Sequence, residues 1–265
     1  MEPVTLPNDA AFRDFLAECE SQQGWLSWYD RSGISVWEQV VPHADLAVYR
    51  IKGSIDMAGV TAETAYDVLH DTEYRSMWDI NLVETHEIAR LTDNADVSYY
   101  AWKCPKPLRN RDVVTLRSWS VLDKAYIILN FSVKHPKYPP RKGTVRAASR
   151  LAGYLVQPTG HDSCRMTYLA QLDPKGFLPK WIVNKAAQFL APKLMRKLYK
   201  ACLAYPSWKQ EHSMDVKPWL HPEQNQLPTM LLSELALQHA SSLENIDESS
   251  VAEAKDQQGE ASGSD

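Results

Sequence analysis

The chain is 265 residues long and 44% hydrophobic, which is enough to bury a core in one large domain or two small ones. No run approaches the roughly 18 apolar residues of a transmembrane helix, and the N-terminus lacks the basic and then apolar opening of a signal peptide, so neither is predicted. The cysteines Cys19, Cys104, Cys164 and Cys202 form no CxxC pair, which argues against a zinc or redox motif and favours a reducing compartment such as the cytosol.

Charge is distributed unevenly along the chain. The whole chain has 29 Lys and Arg and 33 Asp and Glu; from Pro206 onward there are 3 and 11, which leaves 26 and 22 for residues 1–205. A mildly basic body with an acidic tail suits an anionic partner for the body and a solvated or regulatory tail. The positive excess is too small to indicate nucleic acid, and no RNA-binding motif is present.

The first part of the chain predicts a helix, two strands and a second helix. Asn8 or Asp9 can cap the first helix. The segments Ile34–Val40 and Leu46–Ile55 alternate between apolar and polar residues, as strands with one buried face do. The Thr-Ala-Glu-Thr sequence at residues 61–64 resembles a capping box and opens the second helix.

A short helix over Asp71–Trp78 and a series of strands follow. The strand candidates are rich in β-branched and aromatic residues, and turn-forming residues separate them. Successive strands with short connections predict an antiparallel meander. The predicted strands are Val83–Ala89, Val97–Lys103, Val113–Val121, Tyr126–Val133, Val145–Val156 and Cys164–Leu172.

The longest predicted helix, Phe177–Tyr205, closes the predicted folded part. Pro179 suits its first turn, and Pro192 is expected to kink or tighten it. At ~1.5 Å per residue the helix is about 40 Å long, enough to cross a small domain. Its cationic residues are Lys185, Lys193, Arg196, Lys197 and Lys200. Two interpretations stay open: a packing helix on a sheet, or a lid over an apolar cavity whose basic face meets anionic membrane.

Two regions are therefore predicted: a folded domain over residues 1–205 and an acidic extension over residues 206–265. Within the extension, Leu227–Ile246 has the pattern of an amphipathic helix, and Val251–Asp265 has a disordered composition. Ser241, Ser250 and Ser262 each precede an acidic residue by three positions, the spacing that acidophilic kinases such as casein kinase 2 prefer. A purely solubilising tail is the alternative.

Catalytic and metal-binding motifs are absent from the sequence. It contains no G-x-S-x-G, H-E-x-x-H, P-loop or G-x-G-x-x-G pattern, and its 8 histidines stand singly. Nothing pairs a nucleophile with a base. We therefore expect no enzymatic activity, no metal and no cofactor.

Arg75 and Asp79 are the most informative polar pair. At i,i+4 on a helix they would share a face, and a surface ion pair is one interpretation. Tyr74, Met77 and Trp78 surround them with apolar bulk, which suggests burial instead. A buried pair could present a guanidinium to a phosphate and a carboxylate to a cationic amine.

Three short motifs stand out together. They are Tyr74-Arg75 with Trp78-Asp79, Asn110-Arg111-Asp112 before a strand, and Leu178-Pro179-Lys180-Trp181-Ile182-Val183-Asn184 at the start of the last helix. In combination they make the chain resemble a START domain of the phosphatidylcholine transfer protein subgroup over about residues 10–205. The resemblance implies an α+β helix-grip fold, a curved antiparallel sheet wrapped around a long C-terminal helix that encloses a lipid tunnel.

The resemblance also implies roles for particular residues. Arg75 and Asp79 correspond to the buried head-group pair, and Tyr100, Val113 and Arg150 fall on the positions of an aromatic choline cage. Only Tyr100 is aromatic, which implies a looser site that accepts phosphatidylcholine and phosphatidylethanolamine. The cavity residues implied are Trp102, Val183, Ala187 and Leu190. The membrane contacts implied are Trp181, Phe189 and Lys193.

The expected function is that of an intracellular, monomeric phospholipid transfer protein that carries one lipid as cargo and touches membranes peripherally. The C-terminal helix would be both lid and membrane contact. Two alternatives stay open: a lipid-cavity enzyme of the hydrolase or cyclase kind, and a lipid-sensing adaptor that acts through its tail.

Overall fold

The computed structural model describes residues 3–41, 48–106, 108–173 and 189–238. The helices are α1 (Asp9–Glu20), α2 (Ala62–His70) and α3 (Ala191–Glu211), with 3-10 turns at Tyr74–Met77, Pro222–Gln224 and Leu232–Glu234. The strands are β1 (Leu26–Arg31), β2 (Ile34–Val41), β3 (Val48–Ala58), β4 (Leu82–Thr92), β5 (Ala95–Trp102), β6 (Arg111–Leu122), β7 (Ala125–Lys134), β8 (Val145–Arg146), β9 (Ala148–Gly160), β10 (Ser163–Asp173) and β11 (Ala236–Leu237).

The described strands form one 11-stranded sheet in the order β1-β2-β3-β10-β9-β7-β6-β5-β4. Pairing is antiparallel throughout, except that the two-residue β8 runs parallel to β6; β11 pairs with β7. The sheet is open and curved, and α3 lies against it. The predicted helix-grip architecture is therefore confirmed.

The two faces of the sheet carry separate cores, because successive side chains of a strand point to opposite faces. On the inner face, Ile128 and Met166 pack with apolar residues of α2 and α3. On the outer face, the neighbouring Ile127 packs against Phe12 and Phe15 of α1. The fit of α1 is close: a Cβ built on Gly153 of β9 would lie 2.8 Å from Phe15 Cζ.

Both predicted helix N-caps are confirmed. The Asn8 side chain accepts a hydrogen bond from the Ala11 amide at 3.0 Å, and Thr61 Oγ1 accepts one from the Thr64 amide at 3.2 Å. The predicted helix over Asp71–Trp78 is a shorter 3-10 turn at Tyr74–Met77.

The last helix differs from its prediction. Residues 174–188 lie outside the described part, residues 189 and 190 form a wide turn, and Pro192 occupies the first turn of α3 rather than a kink within it. The helix continues through Pro206 to Glu211, beyond the predicted end at Tyr205. The cost of an internal proline is offset by anchors on both sides, since Tyr205 and Lys209 each bind Asp71 at 2.9 Å.

Residues 213–238, which we call the C-terminal strap, pack against the sheet and its edge although they follow the predicted boundary at residue 205. The strap passes from the inner face of the sheet around the edge strand β4. There the Arg90 amide donates a hydrogen bond to the Pro228 carbonyl, and the Arg90 carbonyl accepts one from the Met230 amide, both at 2.9 Å. It ends on the outer face, where β11 pairs with β7 and Leu235 is buried. The predicted helix Leu227–Ile246 is wrong over residues 227–238, and residues 239–246 lie outside the described part of the chain.

Two strand predictions also need correction. Strand β1 was not predicted, because a bulge between Ser27 and Tyr29 breaks its alternation and its residues are largely exposed. The predicted strand Val145–Val156 is divided at Ala147 into β8, which pairs with β6, and β9, which pairs with β7 and β10.

Candidate functional site

The inner face of the sheet encloses a cavity of about 280 Å³. Strands β4–β7, β9 and β10 contribute its walls and floor, and the segment from the end of α2 to Asn81 contributes its roof. Ligand pockets usually measure about 300–1,000 Å³, and this cavity is close to the lower limit. It can hold the polar head group of a lipid with part of the acyl chains. Its described lining includes several polar side chains, among them Asn81, Asn130 and Ser149.

Arg75 and Asp79 meet inside this cavity rather than on the surface. The 3-10 turn places Arg75 Nε 3.3 Å from Asp79 Oδ2, and Asp79 is 5% exposed. The same oxygen accepts a hydrogen bond from the Tyr100 hydroxyl at 2.7 Å, while Oδ1 accepts one from the Asn81 amide at 3.2 Å. The carboxylate is thus fixed from three sides, and it holds the Arg75 side chain.

The guanidinium of Arg75 is surrounded by aromatic rings. Its Cζ lies 4.7 Å from the ring centroid of Trp78 and 5.1 Å from that of Tyr100, both within cation–π range. Burial disfavours the charge, but Tyr154, Tyr100 and Asp79 outweigh burial and raise the pKa of Arg75. Nε is engaged with Asp79 and one further N–H with Tyr154, so N–H donors remain that can face the cavity.

A second charged cluster borders the same cavity. Arg117 makes a two-nitrogen contact with Asp96 and reaches Glu87 Oε1 at 3.3 Å, and the Thr72 hydroxyl donates to that Glu87 oxygen at 2.6 Å. Burial raises the pKa of Asp96, and the charge of Arg117 acts in the opposite direction. Since Thr72 and Arg75 belong to one turn, the two clusters are adjacent.

Two aromatic pairs line the cavity. Tyr100 and Trp102 stack with ring centroids 5.7 Å apart, and Tyr154 and Tyr168 lie 5.0 Å apart at a tilt of 41°. Burial raises the pKa of the phenols of Tyr100, Tyr154 and Tyr168, so all three stay protonated hydrogen-bonding groups at neutral pH.

Comparison with known proteins places the chain in a family. Residues 8–209 match the START domain family. The chain is 61% identical to human START domain-containing protein 10 over 256 residues, which is 97% of this chain and 88% of that protein. The crystal structure of human STARD10 superposes with a TM-score of 0.85, covering 91% of this chain and 98% of that one.

This chain belongs to the START domain family. A more distant relative is mouse phosphatidylcholine transfer protein, 28% identical over 206 residues, covering 75% of this chain and 94% of that protein. The family match ends at Lys209, so the whole C-terminal strap lies beyond the matched START domain.

The structure places two of the three cage-position residues in the cavity wall and the third outside it. Tyr100 and Val113 face each other across β5 and β6, and both line the cavity. The Arg150 side chain is exposed and is absent from the lining, contrary to the prediction. The reason is a bulge in β9: Leu151 pairs with Gln171 but Ser149 with Leu172, so Arg150 is the extra residue that turns outward.

Ser149 and Tyr154 occupy the cavity wall where Arg150 was expected. Sequence analysis missed Tyr154, Tyr168 and the polar lining residues. Alternation counted from Ala152 would have found Tyr154, which lies two positions further along the same strand.

The remaining predicted residues divide by location. Trp102 lines the cavity, as predicted. Leu190 is half-buried just before α3 but is absent from the described lining, whereas Phe189, 64% exposed, and Lys193 are exposed. Trp181, Val183 and Ala187 lie outside the described residues, and so do Ser241, Ser250 and Ser262.

Within the described ranges, no cluster of His, Cys, Asp or Glu could hold a metal ion. Burial raises the pKa of the thiols of Cys19, Cys164 and Cys202 to about 12, which keeps them protonated. His86, on the cavity wall, contacts Tyr138 at 3.1 Å and Glu84 at 3.5 Å rather than a cavity serine. No described helix is long and apolar enough to cross a membrane.

Proposed function

We propose that this protein is an intracellular phospholipid transfer protein that binds one phosphatidylcholine or phosphatidylethanolamine molecule in its cavity and carries out no covalent chemistry. The observation that carries the proposal is the enclosed Arg75–Asp79 pair. The free N–H donors of Arg75 suit a phosphate, and the buried Asp79 carboxylate holds the guanidinium in place for it. Supporting relatives include phosphatidylcholine transfer protein.

The acyl chains explain why such cargo needs an enclosed site. At ~0.8 kcal/mol per CH₂, a phospholipid with roughly thirty methylenes gains over 20 kcal/mol from an apolar environment. Because the cavity of about 280 Å³ holds a head group with only part of its chains, loading requires the cavity to open. No residue of α3 lines the cavity, so the lid role expected of the C-terminal helix stays a prediction for the part of Phe177–Tyr205 that precedes α3.

We infer that α3 makes the membrane contact through which lipid enters and leaves. Its exposed cations Lys193, Arg196, Lys197 and Lys200 attract anionic head groups, and Phe189 at its start can insert among them. Trp181 is expected to join this contact. The protein would act as a monomer at the cytoplasmic surface of membranes.

The acidic tail is proposed to regulate that contact. An acidophilic kinase such as casein kinase 2 would phosphorylate Ser241, Ser250 or Ser262. Each phosphate adds about 1.5–2 negative charges, so modification should weaken binding to anionic bilayers.

Transfer of fluorescent phospholipid between two vesicle populations tests the proposal. The wild type should transfer phosphatidylcholine and phosphatidylethanolamine, and Arg75→Ala should lose most transfer while keeping its far-UV circular dichroism. Arg13→Ala, an exposed arginine of α1 outside the cavity, is the matched control and should transfer normally. Absence of transfer by the wild type, or full transfer by Arg75→Ala, would refute the assignment.

A further inference from the structure

The cavity wall near Arg75 carries polar groups that nothing in the described structure satisfies. Ser149 is 6% exposed, and its hydroxyl lacks a hydrogen-bond partner among the described residues. The Asn130 side chain is half-buried, lines the same cavity and takes part in no described side-chain hydrogen bond. In contrast, the neighbouring hydroxyls of Ser98 and Thr115 lie 3.4 Å apart and can satisfy each other.

An unmet polar group in a protein interior is costly. Leaving a buried donor or acceptor unsatisfied costs its desolvation energy, and native proteins therefore leave few of them. If an acyl chain covered Ser149 and Asn130, it would exclude water and supply no partner. A ligand group that forms hydrogen bonds would offset the cost, so these two side chains favour a polar part of the cargo over an apolar one.

The register of the sheet places this polar wall beside the Arg75 site. Asn130 of β7 pairs with Ala152 of β9, and Tyr154 follows two positions along the same face. The Tyr154 hydroxyl is a hydrogen-bond partner of Arg75. A head group whose phosphate binds Arg75 would therefore extend its terminal group toward Asn130 and Ser149.

The charges around the cavity favour a cationic terminal group. Arg75 and Arg117 face the carboxylates of Asp79, Asp96 and Glu87, which leaves one negative charge in excess. A bound phosphate adds another. A head group that ends in an amine reduces this excess, and a purely anionic head group increases it.

We propose that Ser149 and Asn130 are specificity-determining residues that accept hydrogen bonds from a primary ammonium group, and so favour ethanolamine over choline head groups. This inference rests on the proposed function. The Ser149 hydroxyl and the Asn130 amide oxygen are both acceptors, and a primary ammonium carries three N–H donors. A quaternary ammonium carries none, so it leaves both acceptors unsatisfied and interacts with the aromatic pairs instead.

A series of four lipids with the same acyl chains tests this inference: phosphatidylethanolamine, its N-methyl and N,N-dimethyl forms, and phosphatidylcholine. Their amines carry three, two, one and no N–H donors. Binding of each lipid from vesicles is measured for the wild type, Ser149→Ala and Asn130→Leu. Ser120→Ala, a half-buried sheet serine outside the cavity lining, is the matched control.

The expected result is a substitution effect that depends on the lipid. Ser149→Ala and Asn130→Leu should each weaken phosphatidylethanolamine binding about tenfold, the size of one hydrogen bond to a charged group, with little effect on phosphatidylcholine. The two methylated lipids should lie between, and Ser120→Ala should change none of the four.

Equal effects of both cavity substitutions on all four lipids, or no effect on any, would overturn the inference and leave the proposed function intact. If the wild type takes up none of the four lipids, the proposed function itself is overturned and the inference falls with it. Circular dichroism confirms that each variant is folded, and because the two substitutions lie on different strands, one tests the inference if the other does not fold.

Discussion

The indole of Trp219 stacks on the imidazole of His70 with ring centroids 5.5 Å apart and an angle of 12° between the planes. Trp219 Nε1 also donates to Asp67 at 2.7 Å, and its carbonyl accepts from Trp119 Nε1 at 3.2 Å. These contacts fix the strap to α2 and β6. Because the strap continues to the outer face and buries Leu235 there, it links the two faces around the β4 edge.

Truncation after His212, which deletes the strap, should destabilise the domain strongly. A fully buried apolar side chain contributes about 1.5–3 kcal/mol, and the strap buries Leu235 fully and Trp219, Met230 and Leu232 in part. A loss of about 5 kcal/mol corresponds to a Tm decrease of roughly 10–20 °C at this size. Differential scanning calorimetry measures it.

Truncation after Gln238 is the control for that experiment. It removes only residues outside the described structure and should leave the Tm within about 2 °C of the full chain. Equal Tm values for the two truncated proteins would show that the strap does not contribute to stability.

His70 should make stability decrease in acid. The imidazole is 2% exposed, and neither ring nitrogen has a partner among the described residues. Burial, and then the charge of Arg117, lower its pKa well below 6.5. Below about pH 6.5, His70 of the unfolded chain binds a proton, whereas His70 of the folded chain stays neutral. The free energy of unfolding therefore falls as the pH falls, by up to ~1.4 kcal/mol per pH unit.

His70→Phe keeps a ring of similar shape and removes the titration. In urea denaturation, the free energy of unfolding of the wild type should fall relative to that of the variant by up to about 1.6 kcal/mol between pH 6.5 and pH 5. Parallel pH profiles of the two proteins would exclude His70 as the source.

The buried ion pair of Lys209 and Asp71 should be strongly coupled. Nζ lies 2.9 Å from Oδ2, and both side chains are at least nine-tenths buried. Lys209→Met leaves a buried carboxylate without its cation and should cost about 3–5 kcal/mol, whereas adding Asp71→Asn should recover part of this cost. A double-mutant cycle in urea measures the coupling.

The exposed pair of Arg165 and Asp56, 2.7 Å apart with both side chains about half exposed, is the matched comparison. Its cycle should give less than about 1 kcal/mol. Similar coupling energies for the two pairs would contradict the account of α3 as a helix anchored at its C-terminal end.

Membrane binding should depend on the beginning of α3. Lys193→Glu changes the charge by two units and should weaken binding to vesicles that contain anionic lipid about thirtyfold, at roughly 1 kcal/mol per charge near the surface. Phe189→Ser should weaken binding through the lost apolar contact. Arg13→Glu makes the same charge change on α1 and should have a smaller effect. Co-sedimentation with vesicles measures the bound fraction of each variant. Equal losses of vesicle binding for Lys193→Glu and Arg13→Glu would indicate only a general effect of net charge.

Local patterns were sufficient to predict most of the fold. Helix caps such as Thr61 act within one turn, and alternation within a strand such as β2 needs no knowledge of distant residues. The i,i+4 spacing of Arg75 and Asp79 also identified a true contact, although it occurs at a 3-10 turn and not on an α-helix.

The misassigned features depend on long-range structure. Arg150 turns outward because of a bulge that only the pairing of β9 with β10 reveals. The strap has a weak helical pattern in sequence, but its apolar residues are instead held by the sheet edge and by the outer face, as Met230 and Leu235 show. Tertiary contacts outweigh local propensity in such segments.

Native mass spectrometry after incubation with mixed phosphatidylcholine and phosphatidylethanolamine vesicles tests the central claim most directly. We predict that the wild-type chain emerges with one diacyl phospholipid bound, and that Arg75→Ala emerges folded but without it. A lipid-free wild type, or an Arg75→Ala variant that retains the full stoichiometric load, would contradict the proposed role of the cavity.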